Sequence, residues 1–347
     1  MTNRFFQGSY GTPGNFELAI LDGSNPQRLI HFFRNNANNA FTWIPGDLNQ
    51  HAPTARDIVT NAATSSAAVI QSTFGTPPHP GNFELLVLEG NNLVHWYRDN
   101  SNSGNGWGKG GIVSTKATGA ASLIQSTFRE APNAPGNFEA VVLEGNNLVH
   151  YWRNNASTPF TWKSTKVITS KATGPGCIIQ STYGSPAHPG NFEVIVPEGN
   201  NLRHYWRDNA DTSSNWQLGG TVSTTASGDP GSLIQSDYGV LNGLGNFEVV
   251  VPEGGHLVHY WRNNSSGGGN EWNRSVPISD VPISGPGTLI QSSYKSGTPN
   301  GNLEVVVVER TKGATYLVHR YRDEVDENKW KFGTIITPFP SSDAGVH

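Results

Sequence analysis

Residues 124–155 read IQSTFREAPNAPGNFEAVVLEGNNLVHYWRNN, and residues 70–100 read IQSTFGTPPHPGNFELLVLEGNNLVHWYRDN. Four further copies of this text run through the chain, so a repeat architecture is settled before any single element is assigned. The histidine of the LVH element falls at His31, His95, His150, His204, His259 and His319, with central spacings of 55, 54 and 55 residues. Six units follow, approximately 1–67, 68–121, 122–176, 177–231, 232–287 and 288–347. Each holds four strand-like segments separated by Gly, Pro, Asn and Ser clusters that read as turns. Segment A is SLIQS-like, B is NFEVVVPE-like, C is LVHYWRDN-like, and D begins at a tryptophan. No helical period appears. Four strands per unit of about 50 residues predict one all-β domain, a β-propeller of six four-stranded blades.

The tryptophans follow the same rule. Trp96, Trp152, Trp206 and Trp261 lie in segment C, while Trp43, Trp107, Trp162, Trp216, Trp272 and Trp330 open segment D, which accounts for all ten. Such regularity suits packing between blades, where an aromatic ring buries about 150–250 Å². A ligand platform is the other reading.

Composition narrows the function. Charged residues make up 14% of the chain, against about 25% in an average globular domain. The 40 Gly and 22 Pro, 62 of 347 residues, stay below the roughly 25–30% that marks disordered sequence. A net charge of -4 without any Lys/Arg run argues against nucleic-acid binding. No stretch approaches the ~20 apolar residues of a membrane span, and the opening MTNRFFQGSY has no secretory pattern. A soluble protein is expected, cytoplasmic or released without a secretory signal peptide. Cys177 is the single cysteine, which leaves no intramolecular disulfide and no cysteine-based zinc site.

A three-residue loop after Glu89 would place Glu89 opposite Leu93 and therefore Glu84 opposite Arg98. The same count pairs Glu139 with Arg153, Glu193 with Arg207, Glu248 with Arg262, Glu304 with Arg322 and Glu17 with Arg34, and it sets Phe83 on one face with His95 and Tyr97. Such a cross-strand ion pair serves structure, or it forms a polar pocket in which Arg and Glu bind vicinal hydroxyls beside an aromatic ring. The candidate sugar-binding residues are Arg98, Arg153, Arg207 and Arg262 with Glu84, Glu139, Glu193 and Glu248. The stacking candidates are Trp107, Trp162, Trp216 and Trp272, or the aromatics before each arginine, Tyr97, Trp152, Trp206 and Trp261. One histidine per copy, set far from the axis, cannot converge with the others on a metal ion, so hydrogen-bonded histidines and no metal or other cofactor are expected.

No GxSxG, HExxH or P-loop pattern is present, and the ionisable residues repeat, whereas a catalytic constellation breaks symmetry. The segment from Ser101 to Trp107 only loosely matches the structural turn of sialidases. The chain is therefore expected to be no enzyme.

The unit IQSxYG…PGNFEVVVPEG…LVHYWRDN…W resembles the repeats of the Photorhabdus lectin family (PLL-type lectins) over nearly the whole chain. That resemblance implies a β-propeller lectin binding fucose and related, including O-methylated, sugars between neighbouring blades, and often self-associating into a homo-oligomer. Fucosylated glycans or glycoconjugates would be the partners, bound multivalently. Two departures stand out. The family is seven-bladed where six copies are counted here, as in six-bladed fucose lectins of the Aleuria type. The first copy has Phe32 and Phe33 and an insertion from Pro45 to Ala67 that would cover its site, and the sixth has Leu303 and Arg320. A propeller interaction scaffold without sugar binding is the alternative, with a glycosidase behind it.

Overall fold

A computed structural model describes residues 4–22, 25–37, 42–45, 57–75, 80–101, 106–183, 190–211, 213, 215–239, 244–265, 271–294, 300–311, 314–323 and 329–339. These form six antiparallel sheets set in a ring. The first contains β1 (Phe5–Gln7), β2 (Phe16–Asp22), β3 (Asn25–Arg34), β4 (Trp43–Pro45) and β5 (Ile58–Thr60). The second is β6 (Ala68–Gln71), β7 (Phe83–Glu89), β8 (Asn92–Arg98) and β9 (Gly108–Ser114). The third is β10 (Ser122–Gln125), β11 (Phe138–Glu144), β12 (Asn147–Arg153) and β13 (Trp162–Thr169), and the fourth is β14 (Cys177–Gln180), β15 (Phe192–Glu198), β16 (Asn201–Arg207) and β17 (Trp216–Ser223). The fifth runs β18 (Leu233–Gln235), β19 (Phe247–Glu253), β20 (His256–Arg262) and β21 (Trp272–Pro277). The sixth runs β22 (Thr288–Gln291), β23 (Leu303–Thr311), β24 (Ala314–Arg322) and β25 (Lys331–Phe339). Strand order follows chain order in every blade, and the ring is a six-bladed β-propeller.

The first blade departs from four strands, because β4 and β5 both pair with β3 and share the work of one outer strand. Residues 46–56 of the insertion expected to cover its site lie outside the described residues, as does the interior of the sialidase-like segment 101–107. The described residues contain no helix, and so none long and apolar enough to cross a membrane.

Alternation on a pleated strand gives every blade two apolar faces, and facing blades bury them against each other in six separate clusters. The side chain that opens segment B, Phe16, Phe83, Phe138, Phe192, Phe247 or Leu303, is wholly buried in each blade. Each such burial stabilises the ring by about 1.5–3 kcal/mol.

The inner strands close the ring around the axis, with β1 packed on both β6 and β22. A glutamine belt fastens them. Gln125 accepts from the Thr73 backbone N–H (2.8 Å) and donates to Thr73 Oγ1 (3.0 Å) and to Gly136 O (3.1 Å). Gln71 clasps Ser9 in the same way, Gln180 clasps Thr127, Gln235 clasps Thr182, Gln291 clasps Asp237, and Gln7 clasps Ser293. The last of these links the first blade to the sixth.

The hairpin register corrects the expected one by a single residue. The B–C loop has two residues, so Glu89 pairs with Asn92, Phe83 with Arg98 and Glu84 with Tyr97. Gly90, at φ 64°, provides the positive φ with which a two-residue turn begins, and Gly145, Gly199 and Gly254 repeat it at φ 61°, 62° and 57°. A one-residue slip exchanges faces. Glu84 therefore shares its face with His95 and Tyr97, while Arg98 shares the other with Phe83. The expected pairs Glu84–Arg98, Glu139–Arg153, Glu193–Arg207, Glu248–Arg262, Glu304–Arg322 and Glu17–Arg34 do not form within blades.

Candidate functional site at the blade junctions

Every blade turns its glutamate and histidine toward the arginine of the next blade. In the second blade, Ser72 Oγ donates to Glu84 Oε1 (2.9 Å) and His95 Nε2 donates to Glu84 Oε2 (2.7 Å). Across the junction, Arg153 Nη1 of the third blade lies 3.2 Å from His95 Nδ1 and donates to it. The arrangement recurs as Glu17–His31 with Arg98, Glu193–His204 with Arg262, Glu248–His259 with Arg322, and Glu304–His319 with Arg34, the last closing the ring. The Nε2–Oε2 distances span 2.7–3.0 Å over all six pairs. The six histidines are thus hydrogen-bonded, as the sequence suggested.

Each arginine is held before it reaches across. Arg153 Nε donates to Asn155 Oδ1 (2.8 Å), and its guanidinium lies 4.4 Å from the centroid of Phe138 and 5.9 Å from that of Trp162. Arg262 sits likewise over Phe247 and Trp272, Arg207 over Phe192 and Trp216, and Arg98 over Phe83 and Trp107. Stacking on rings and a fixed Nε bond leave the far edge of the fork pointing into the junction.

Burial governs the electrostatics here. It pushes Arg153 down to about 10, opposed by the attraction of Glu84 across the junction. Arg34, Arg98 and Arg207 are lowered for the same reason, each opposed by a glutamate of the preceding blade, Glu304, Glu17 and Glu139. Glu17 is pushed up to about 8 by burial, against the pull of Arg98. His31 is driven well below its ordinary value of 6.5 by burial and by Arg98, and His259 is lowered chiefly by burial.

Two junctions open into clear cavities. One of about 260 Å³ between the sixth and first blades is lined by Arg34, Tyr294, Glu304, His319, Tyr321 and Gly333 among others. One of about 310 Å³ between the third and fourth blades is lined by Phe128, Glu139, His150, Trp152, Thr165 and Arg207 among others. Trp152 and Tyr321 occupy the position before the arginine, which Tyr97, Trp206 and Trp261 fill in the second, fourth and fifth blades. Of the stacking candidates at this position, Trp152 forms a cavity wall, as Tyr321 does in the sixth blade. Trp107, Trp162, Trp216 and Trp272 stand on the opposite side, behind the arginines, with their rings edge-on to the histidines of the preceding blades at 5.8–6.0 Å. Their indole N–H groups are buried without a hydrogen-bond partner among the described residues.

Sequence reasoning missed two contributors. The aromatic after the IQS element, Phe128 in one cavity and Tyr294 in the other, forms a further wall. Its repetition in every copy is the signal that could have found it. The outer strand also lines the cavity with Thr165 or Gly333, at a β-bulge that no spacing in the sequence marks. Among the described residues, no group of three or more His, Cys, Asp or Glu is placed to hold a metal ion.

No family model and no curated protein matches the chain. Solved structures with a similar fold include a protein from Lactobacillus plantarum, 10% identical, with a TM-score of 0.50 over 97% of this chain and 98% of that one. An ulvan lyase is 9% identical, with a TM-score of 0.48 over 97% of this chain and 83% of its own. A NanB sialidase from Streptococcus pneumoniae is 13% identical, with a TM-score of 0.41, and this chain spans 61% of it. These likenesses show the propeller fold alone. They also correct one expectation: the fold does not set the chain apart from enzymes, because a lyase and a sialidase stand among the structures that share it.

Proposed function

We propose that the chain binds carbohydrate at its blade junctions, as a multivalent lectin. One observation carries this reading: a cavity between blades brings a buried arginine, a His–Glu pair and two aromatic walls together, and the same residue types recur around the ring. Arg donors meet hydroxyls, while the ring at Trp152 or Tyr321 meets the apolar face of a pyranose. The arginines contribute to the site from the blade following that of the glutamates. Because Ser and His engage both oxygens of the glutamate in the second to sixth blades, its role there is to hold and neutralise the arginine rather than to meet the sugar first.

Fucose and related O-methylated sugars are the class implied by the resemblance to the Photorhabdus lectins. Several weak equivalent pockets on one rigid ring favour surfaces that display many copies of a glycan. A glycan array followed by titration calorimetry with L-fucose tests the reading. Binding of fucosylated glycans with more than one site per chain is expected, and silence across the array with no heat at millimolar fucose would refute it.

A further inference from the structure

The junction between the third and fourth blades differs from the rest, and one residue accounts for the difference. In the second to sixth blades the outer strand bulges where it passes the histidine, with one residue leaving the ladder in the second, fourth and sixth blades and two in the third and fifth. In the second, fourth and sixth blades that residue is Gly110, Gly219 or Gly333, and a Cβ there would overlap Nδ1 of His95, His204 or His319. With glycine beside it, each of these Nδ1 atoms is left to the arginine of the next blade, at 3.2, 3.4 and 3.4 Å.

The third blade carries Thr165 at the bulge. Its Oγ1 lies 2.8 Å from His150 Nδ1 and takes the place the arginine holds elsewhere. Arg207 consequently keeps its Nε bond to Asn209 (2.9 Å) and its stacking on Phe192, while its terminal nitrogens have no hydrogen-bond partner among the described residues. Arg207 borders the 310 Å³ cavity, although as a residue it is only 9% exposed. A second cation, Arg129, lines the same cavity at a position where the other copies have Gly or Lys.

The two carboxylates nearby are already engaged. Glu139 accepts from Ser126 and His150, both at 3.0 Å, and Glu130 Oε2 accepts from the Asn154 amide at 2.6 Å. An uncommitted guanidinium fork presents two parallel N–H groups, the geometry that matches a carboxylate. Phe128 and Trp152 supply apolar walls for a sugar ring.

We infer that this junction is a distinct binding site for an acidic sugar, a uronate whose carboxylate is held by Arg207 with Arg129 at the mouth, and that Thr165 creates it by displacing Arg207 from His150. The inference rests on the reading of the junctions as sugar sites, and it assigns one of them a different ligand class.

Calorimetry with methyl β-D-glucuronide, run beside methyl α-L-fucoside on the intact chain, tests it. The wild type is expected to bind about one glucuronide per ring. Arg207→Gln removes the fork, and Thr165→Gly restores the glycine of the second, fourth and sixth blades and returns Arg207 to His150. Each should weaken the glucuronide by about ten- to a hundred-fold, while fucoside binding at other junctions persists. Thr165→Gly carries the test if Arg207→Gln fails to fold. No glucuronide binding alongside intact fucoside binding would overturn this inference and leave the general reading standing, as would glucuronide binding unmoved by Thr165→Gly. Glucuronide binding as expected with no fucoside binding would support the inference and remove the fucose assignment instead.

Discussion

Arg153 of the third blade donates to Nδ1 of His95 in the second at 3.2 Å, and that imidazole donates in turn to Glu84 at 2.7 Å. The two blades are thus joined through a buried guanidinium, an imidazole and a buried glutamate side chain. Breaking a buried pair by removing one partner leaves an uncompensated charge, at a cost of about 3–5 kcal/mol. Arg153→Met should lower the unfolding free energy by that amount, and Glu84→Gln should cost substantially as well. The double variant should lose less than the sum, which a double-mutant cycle in guanidinium chloride reads directly. Additive losses would show that the two residues act separately.

The first junction should titrate. Glu17, at about 8 in the folded protein against an ordinary 4.5, gives stability that is complete below pH 4.5 and is lost as pH rises to about 8. His31, held well below 6.5, gives stability that is present above pH 6.5 and is lost as pH falls below it. The two oppose each other between 4.5 and 6.5, so between 6.5 and 8 the glutamate acts alone. Thermal unfolding of the wild type should fall over that upper window relative to Glu17→Gln, in which the decline should disappear.

The glutamine belt has a measurable share in ring closure. Gln125→Ala removes three hydrogen bonds, two of them to the neighbouring blade, and should cost about 1–3 kcal/mol by chemical denaturation. Amide exchange should quicken at Thr73, whose N–H loses its acceptor.

Two glycines of one blade should behave oppositely. A Cβ on Gly190 would run into the carbonyl oxygen of Ser181, a close backbone approach repeated at Gly81, Gly136 and Gly301, so Gly190→Ala should abolish soluble expression or lower stability by several kcal/mol. Gly199, at φ 62° with nothing near its missing Cβ, should accept Asn with a change of about 1 kcal/mol or less. Melting temperatures of the two variants decide this.

The ring was legible because His95, His150, His204 and His259 recur at nearly constant spacing and because every tryptophan falls in segment C or D. The register was not. Gly90-Asn91-Asn92 suits a two- or a three-residue loop, and only the conformation of the turn chooses between them, which moved Glu84 to the opposite face from Arg98. Near-identical copies conceal a second relationship. Arg98 meets a glutamate whether it pairs with Glu84 of its own blade or Glu17 of the preceding one, and sequence alone cannot tell copy from neighbour. Thr165 was hidden for a third reason, since a bulge changes which residue faces His150 without altering any spacing in the text.

A crystal structure of the chain with methyl α-L-fucoside tests the central claim most directly. The account predicts sugar in the junction cavities, its hydroxyls on an arginine such as Arg34 and its ring against the aromatic of the preceding blade, such as Tyr321. Sugar found only outside the junctions, or none at tens of millimolar fucoside, would contradict it.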